Sequence, residues 1–419
     1  MCYKNNIIKN CLETYLKDLC NEENLQPDTI KEGILKGSMV ILYNPNHKGV
    51  KPTLIGRPSR IKVNANIGTS PFLCDVTLEL AKLKAAEKAG AHTVMDLSTG
   101  GDLDSIRKQI IEKTSLPVGT VPIYSVAQKY LKKGKDVAQI TEDELLEEVE
   151  KQAKQGVDFM TLHCGVTKRG AEFAKKERVL GIVSRGGSIL ARWMEKNNKE
   201  NPLFTHYDEL LNICLKYNVV ISLGDGLRPG ALKDAGDAAQ YEEVIVLGEL
   251  AKRAWERGVQ VMIEGPGHVP LNQVVSQIQT IKILTHNAPL YVLGPLTTDI
   301  AAGYDHISGA IGGALAAFAG ADFLCYVTPA EHVTLPNEND VYLGVIASLI
   351  AANSAEVCLG YEDAIQRNIE ISKARKELNW ERITQFALDP ELVKKRKGKF
   401  ATKKECAMCG EFCAVKMIS

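Results

Sequence analysis

Short apolar, β-branched runs recur along the middle of the chain, separated by amphipathic stretches of about 12 to 30 residues that read as helices. After a first run at Lys62–Ile67 come Thr93–Leu97, Val118–Tyr124, Phe159–His163, Gly181–Val183, Val219–Leu223, Val259–Glu264, Leu290–Leu293 and Phe323–Thr328. The segments between them carry helix signals. Leu78–Ala89 sets Lys82 and Lys84 on a polar face, Thr141-Glu142-Asp143-Glu144 has the form of an N-terminal cap, and Tyr241–Arg257 repeats apolar residues at helical spacing. Strand, crossover helix and parallel strand is the alternation of an α/β fold, and about eight such units predict a closed (β/α)8 barrel over 61–360. An open doubly wound sheet is the runner-up. No internal repeat is visible.

The flanks have a different texture. Residues 1–60 are polar and charge-rich and read as a small cap: a helix at Cys11–Cys20, a second opening at Pro27-Asp28, and one short strand at Met39–Tyr43 within Pro- and Gly-containing loop. Residues 361–398 read as C-terminal helices (Asp363–Leu378, Trp380–Leu388 and one opened by Asp389-Pro390), and 399–419 as a tail.

Composition narrows the function. The 419 residues carry 51 Lys plus Arg against 51 Asp plus Glu, so no long-range field attracts nucleic acid or an anionic membrane, and any phosphate must be gripped locally. The basic stretch Lys395, Arg396, Lys397, Lys399, Lys403 and Lys404 then reads as a solvated tether. No signal-peptide core and no apolar run of about 18 residues stands out, which places the protein in the cytoplasm. Eleven cysteines, mostly scattered, argue against a disulfide framework.

Three of those cysteines stand apart. Cys406-Ala-Met-Cys409-Gly-Glu-Phe-Cys413 sets three thiols within eight residues, and thiolates so close need a cation or cluster to neutralise them. A structural zinc takes four protein ligands, and no other Cys or His follows Cys358. A 4Fe-4S cluster with one iron free to chelate S-adenosylmethionine fits three. Zinc completed by a distant ligand, or a merely reduced tail, are the competing readings.

In a barrel, chemistry sits where the strands end. Those ends are polar: Asn64 and Asn66; Met95-Asp96; Tyr124; His163-Cys164; Ser184-Arg185-Gly186-Gly187; Asp225-Gly226-Leu227-Arg228; Glu264 and His268; Asp299; Glu331-His332. Ser184-Arg185-Gly186-Gly187 offers a hydroxyl, a guanidinium and open amides, a local phosphate cradle. Arg228 near Asp225 suits a phosphate or sugar hydroxyls. His268 and His332, each near a carboxylate (Glu264, Glu331), suit either a divalent metal or general acid–base work.

Together these residues resemble the ThiC family of non-classical radical S-adenosylmethionine (SAM) enzymes. The motifs are Val63-Asn64-Ala65-Asn66-Ile67-Gly68, Thr93–Gly100, Gly119–Tyr124, Val183–Gly187, Leu223–Gly230, Glu264–Pro270 and Cys325–Pro329. The resemblance implies a (β/α)8 barrel, a homodimer, and a C-terminal 4Fe-4S tail with reach into the partner's active site. It further implies 5-aminoimidazole ribonucleotide as substrate, S-adenosylmethionine as radical source, and a reduced donor such as flavodoxin or ferredoxin. By position, the family's substrate residues fall here on Asn66, Met95, Tyr124, His163, Ser184, Arg185, Gly186, Asp225, Gly226, Leu227, Arg228, Glu264 and Tyr291. Its zinc-like metal falls on His268 and His332, and its cluster on Cys406, Cys409 and Cys413.

Three departures from the family pattern stand out, the first two of which bear on the product. The chain lacks the family's N-terminal Thr-Gln-Met motif, has Ala302 where Pro is usual, and has a cluster spacing one residue shorter than long members. The first two favour the branch that makes 5-hydroxybenzimidazole, the lower-ligand base of cobamides. The alternative is 4-amino-5-hydroxymethyl-2-methylpyrimidine phosphate for thiamine, and a zinc-dependent barrel hydrolase is the remote third reading.

Overall fold

In the computed structural model, which describes residues 5–417, the apolar runs pair with their neighbours in chain order and the last pairs with the first. Strands β1 (Val40–Leu42) and β2 (Thr53–Ile55) form an antiparallel pair. The barrel comprises β3 (Lys62–Ile67), β4 (Thr93–Asp96), β5 (Val118–Thr120), β6 (Phe159–Leu162), β7 (Val220–Leu223), β8 (Val261–Glu264), β9 (Leu290–Leu293) and β10 (Phe323–Cys325). Phe323 pairs with both Lys62 and Tyr291, so β10 closes the ring and the open-sheet alternative falls. Inside, the Phe323 ring stacks on Tyr291 at 4.2 Å and meets Phe159 edge-on at 6.3 Å. Gly119 makes room for that cluster: a Cβ there would lie 2.3 Å from the Phe159 ring. Helices start where the sequence supplies caps, including a full capping box between Thr141 and Glu144.

The N-terminal segment closes the end of the barrel where the strands begin. Glu23 accepts from Lys62 at the start of β3, Ile41 exchanges two hydrogen bonds with the Gln260 side chain before β8, and Asn44 and His47 bind Asp158 before β6. The opposite end is left to the crossover loops.

Several sequence expectations change. Gly181–Val183 is no strand: Gly181 is left-handed (φ 64°), and the amides of Val179 and Leu180 bond the Asp234 carboxylate instead of a neighbouring strand. With Lys62–Ile67 counted, eight strands remain. β2 was hidden in what reads as loop, because three residues are too few for a periodic signal. Lys82 is buried rather than on a polar face, its charge held by Glu79 at 2.7 Å. Helix Glu338–Cys358 is, by length and composition, apolar enough to cross a membrane, a run the sequence reading passed over. The chain divides into two compact units, one ending at Ala352 and the other starting at Asn353. The second unit holds helices Glu362–Lys376, Trp380–Phe386 and Pro390–Gly398 and the cysteine turn.

Candidate active site

The C-terminal ends of the barrel strands surround a cavity of about 90 Å³. β3 supplies Asn66, β4 Met95, β8 Glu264, β9 Tyr291 and β10 Cys325; His163 follows β6, and Asp225 and Arg228 follow β7. Tyr124 enters from the first turn of helix Pro122–Leu131, not from a strand as its run suggests. A second cavity, about 210 Å³, shares Asn66 and Leu97 and is bordered by Arg185, Glu331 and His332. A third, about 660 Å³ and mostly apolar, shares Tyr124 and Arg185, whose guanidinium lies 4.8 Å over the Tyr124 ring.

The floor of the first cavity is a hydrogen-bonded network. Glu264 Oε1 accepts from Thr161 Oγ1 (2.6 Å) and Ser222 Oγ (2.7 Å). Asn64 donates to Tyr291 OH (2.8 Å) and to Asn66 Oδ1 (2.7 Å), and Asn66 donates to Cys325 Sγ (3.0 Å). Arg228 Nη1 donates to Asp225 Oδ1 (3.0 Å). Burial pushes Asp225 well above the usual carboxylate range; Arg228 opposes the shift and the adjacent Glu264 carboxylate adds to it. Burial, helped by the Arg228 charge, drives His163 down to about 3. Its imidazole is neutral, with Nε2 3.2 Å from Ser184 Oγ and Nδ1 without a partner.

Four of the thirteen expected substrate residues stand behind the first cavity. Ser184 caps helix Arg185–Asn197, its Oγ accepting from Gly187 N–H at 3.2 Å. A Cβ on Gly186 would lie 2.2 Å from the His163 ring, so that glycine lets the helix start press against the imidazole. Gly226 and the fully buried Leu227 form the backbone of the Asp225–Arg228 loop. That loop is clamped from outside: Glu243 accepts from Leu227 N–H at 2.7 Å, and Arg178 donates to the carbonyls of Leu227 (2.6 Å) and Arg228 (3.1 Å) while gripping Asp237 with two bonds.

The fold brings His268 and His332 together, ring centroids 5.3 Å apart. Each ring also has a hydrogen-bonded carboxylate partner from another loop or helix. His268 Nδ1 binds Asp299 (2.8 Å) and His332 Nδ1 binds Asp305 (3.3 Å), which leaves both Nε2 atoms for a ligand. His332 has a left-handed backbone (φ 59°), a strained state that functional sites tolerate. Two imidazoles suit a divalent ion, but among the described residues no group of three or more His, Cys, Asp or Glu is arranged to hold one.

In the second unit Cys406 and Cys409 are in hydrogen-bond contact, and the amides of Cys409 and Met408 point at the Cys406 sulfur and lower its pKa. Cys413 acts on Cys409 through its charge. Amides aimed at a thiolate suit an iron–sulfur cluster. Cys2 lies outside the described residues.

Thr161, Ser222 and Cys325 belong to the network, and Asp299, Asp305, Arg178 and Glu243 support it, yet the sequence singled out none of these roles. The first three lie inside strands, where only the inward phase of the β pleat marks them; the others act across long sequence separations that no local pattern records.

Comparison with known proteins now adds to the geometry. The family described as Radical SAM ThiC matches residues 5–419. A phosphomethylpyrimidine synthase of Thermoanaerobacter pseudethanolicus is 51% identical over 407 residues, covering 96% of this chain and 94% of that protein. One of Pyrococcus abyssi is 52% identical over 402 residues, again 96% and 94%. One of Syntrophus aciditrophicus is 51% identical over 403 residues, covering 95% and 94%.

Proposed function

Because the chain belongs to the radical SAM ThiC family, we propose that it converts 5-aminoimidazole ribonucleotide to 4-amino-5-hydroxymethyl-2-methylpyrimidine phosphate. That it is an enzyme acting by radical SAM chemistry follows from membership itself. The observation that carries the product is the 51% identity, over 96% of the chain, to a protein named phosphomethylpyrimidine synthase. This reverses the order of the two products drawn from sequence. The departures behind the benzimidazole reading leave the cavity untouched: the N-terminal segment packs at the other end of the barrel, and Ala302 is exposed.

Bound through Cys406, Cys409 and Cys413, a 4Fe-4S cluster with S-adenosylmethionine would supply a 5'-deoxyadenosyl radical by reductive cleavage. The rest is work for this chain's own side chains. Arg185 and the Gly186 amide hold the substrate phosphate, with Ser184 fixing the helix start by accepting from Gly187 N–H. Arg228 and Asp225 grip the ribose. Asn66, Met95, Tyr124, His163, Glu264 and Tyr291 surround the base, and neutral His163 offers its free Nδ1 without adding charge. Leu227 and Gly226 set the loop that carries Asp225 and Arg228.

His268 and His332 would hold zinc or another divalent ion. Exposed Ile307, Ile311 and Phe318 along helix Asp305–Ala319, with Leu343 and Ile350, support a homodimer. A cytoplasmic enzyme fed by a reduced flavodoxin- or ferredoxin-type donor completes the reading.

The test is an anaerobic assay with reductant, S-adenosylmethionine and 5-aminoimidazole ribonucleotide. The expected products are the hydroxymethylpyrimidine phosphate, 5'-deoxyadenosine and methionine. Recovery of 5-hydroxybenzimidazole would return the chain to the cobamide branch, and absence of 5'-deoxyadenosine would overturn both. Activity that survives in air with the tail deleted would point to the hydrolase.

A further inference from the structure

Between Leu392 and Lys404 the chain has seven cations (Lys394, Lys395, Arg396, Lys397, Lys399, Lys403, Lys404) and not one Asp or Glu, in a protein whose formal charge is zero. Many surface lysines and arginines in the barrel unit have a carboxylate within reach, as Lys36, Lys175 and Arg192 do. Six of these seven are exposed and make no ion pair among the described residues. Unneutralised charge so concentrated costs self-repulsion, which a purely structural segment has no reason to carry.

Nor is the stretch the loose tether its composition suggests. The seventh cation, Lys397, lies 4.2 Å over the Trp380 ring and donates to the carbonyls of Lys403 (2.7 Å) and Glu405 (2.8 Å). Trp380 Nε1 donates to the Lys404 carbonyl at 2.8 Å. These bonds fasten the basic helix Pro390–Gly398 to the backbone that leads directly into Cys406. Beyond it, Cys409 is exposed, with Met408 and Phe412 bare beside it.

Resting on the cluster reading above, we propose that this basic face is the docking site of an acidic one-electron carrier protein, bearing reduced flavin or an iron–sulfur centre. The chemistry requires such a visitor. One electron passes and no atom moves: the carrier is oxidised by one electron and the thiolate-held cluster reduced by one, and that electron later breaks the carbon–sulfur bond of S-adenosylmethionine. Weak electron-transfer complexes use small, charge-steered interfaces that form and release quickly. One helix and one turn of positive charge at the cysteine turn, bordered by exposed apolar side chains, match that description. A nucleic acid fits less well, because the charge does not continue along the neutral chain and the flat face of Trp380 is covered by Lys397.

The test uses the full chain, reconstituted anaerobically, and an acidic flavodoxin as probe. The triple variant Lys394→Glu/Lys395→Glu/Arg396→Glu alters exposed side chains only and leaves Lys397 in place. Iron content and dithionite-driven formation of 5'-deoxyadenosine should equal those of the parent. Flavodoxin binding should weaken about tenfold or more, and flavodoxin-driven bleaching of the cluster should slow in step and lose its salt dependence. Lys403→Glu/Lys404→Glu, on the other side of the patch, should reproduce the loss if the first variant loads poorly. Unchanged flavodoxin affinity and rate in both variants, with dithionite turnover intact, overturn the docking alone. No dithionite-driven cleavage in the parent overturns the radical reading and this surface with it. A single-stranded RNA that binds the parent more tightly than flavodoxin does, and is lost in the same variants, overturns it in favour of nucleic acid.

Discussion

The two ends of the barrel differ in what their buried ionisable groups face. Where the strands begin, Asp158 accepts from Asn44 N–H, Val118 N–H and His47, and Lys62 is held by Glu23 and the Arg60 carbonyl, while the buried Nε atoms of Arg57 and Arg60 have no hydrogen-bond partner among the described residues. Where the strands end, groups are crowded with their own kind or left short of a partner. Asp225 faces Glu264 as well as its partner Arg228, and among the described residues His163 Nδ1 and Glu243 Oε1 have no hydrogen-bond partner. Burying a charge is costly unless it is paired. The first end closes the barrel with the N-terminal segment; the second lines a cavity with His163, Asp225, Arg228 and Glu264. That contrast locates the working face independently of any family likeness.

The largest effect should come from breaking the closed end. Asp158→Ala strands three donors at once, and we expect about 3–5 kcal/mol of lost stability in urea unfolding. The folded fraction should still bind 5-aminoimidazole ribonucleotide. A loss below about 1 kcal/mol would place this end among ordinary surface pairs.

The open end should respond the other way, in binding rather than folding. Arg228→Gln should weaken substrate binding about 10- to 100-fold in calorimetric titration, with a melting temperature within about 2 °C of the parent. A large fall in melting temperature without loss of affinity would make Arg228 structural. One step further out, Arg178→Met removes two hydrogen bonds to the Leu227 and Arg228 carbonyls. It should raise KM about tenfold with a smaller change in kcat, and Arg178→Lys should recover part of the loss. Equal falls in kcat and kcat/KM would show an effect on the transition state instead of on loop position.

The smallest effect within the working pH range concerns His163. An unfolded histidine gains its proton near 6.5, while burial holds the folded His163 at about 3. The neutral imidazole's contribution is therefore complete above the unfolded value and is lost as pH falls from 6.5 toward 3, by about 1 kcal/mol in the first unit. His163→Asn should flatten that acid slope in thermal melts. An unchanged slope would mean that the site admits the charged form.

Periodicity was enough for eight strands and their order, because parallel strands buried on both sides must be apolar whatever surrounds them. It misjudged Gly181–Val183, whose apolar side chains serve a loop: Val183 packs against Gly230, where an added Cβ would clash at 2.3 Å. Lys82 escaped for a related reason, since its neutraliser Glu79 is three residues away and sequence cannot say that the pair turns inward together. Asn66, Met95 and Glu264 were legible through motif, Tyr291 through its position in the family resemblance, and Arg185 and Arg228 through their chemistry. Cys325 was passed over as an ordinary reduced thiol, although it lines the cavity and accepts from Asn66.

By itself, then, the sequence determined what kinds of chemistry the chain carries: a neutral surface, a three-thiol turn, polar strand ends and an α/β alternation. These follow from residue type and short spacing, which survive without coordinates. Only the tertiary structure decided which groups share a space. His268 meets His332 across 64 positions, Asp299 and Asp305 supply their hydrogen-bonded carboxylate partners, and Lys397 turns a basic tether into a fixed face beside Cys406. Such pairings depend on barrel closure and loop packing, where the energy of a contact bears no relation to its distance along the chain.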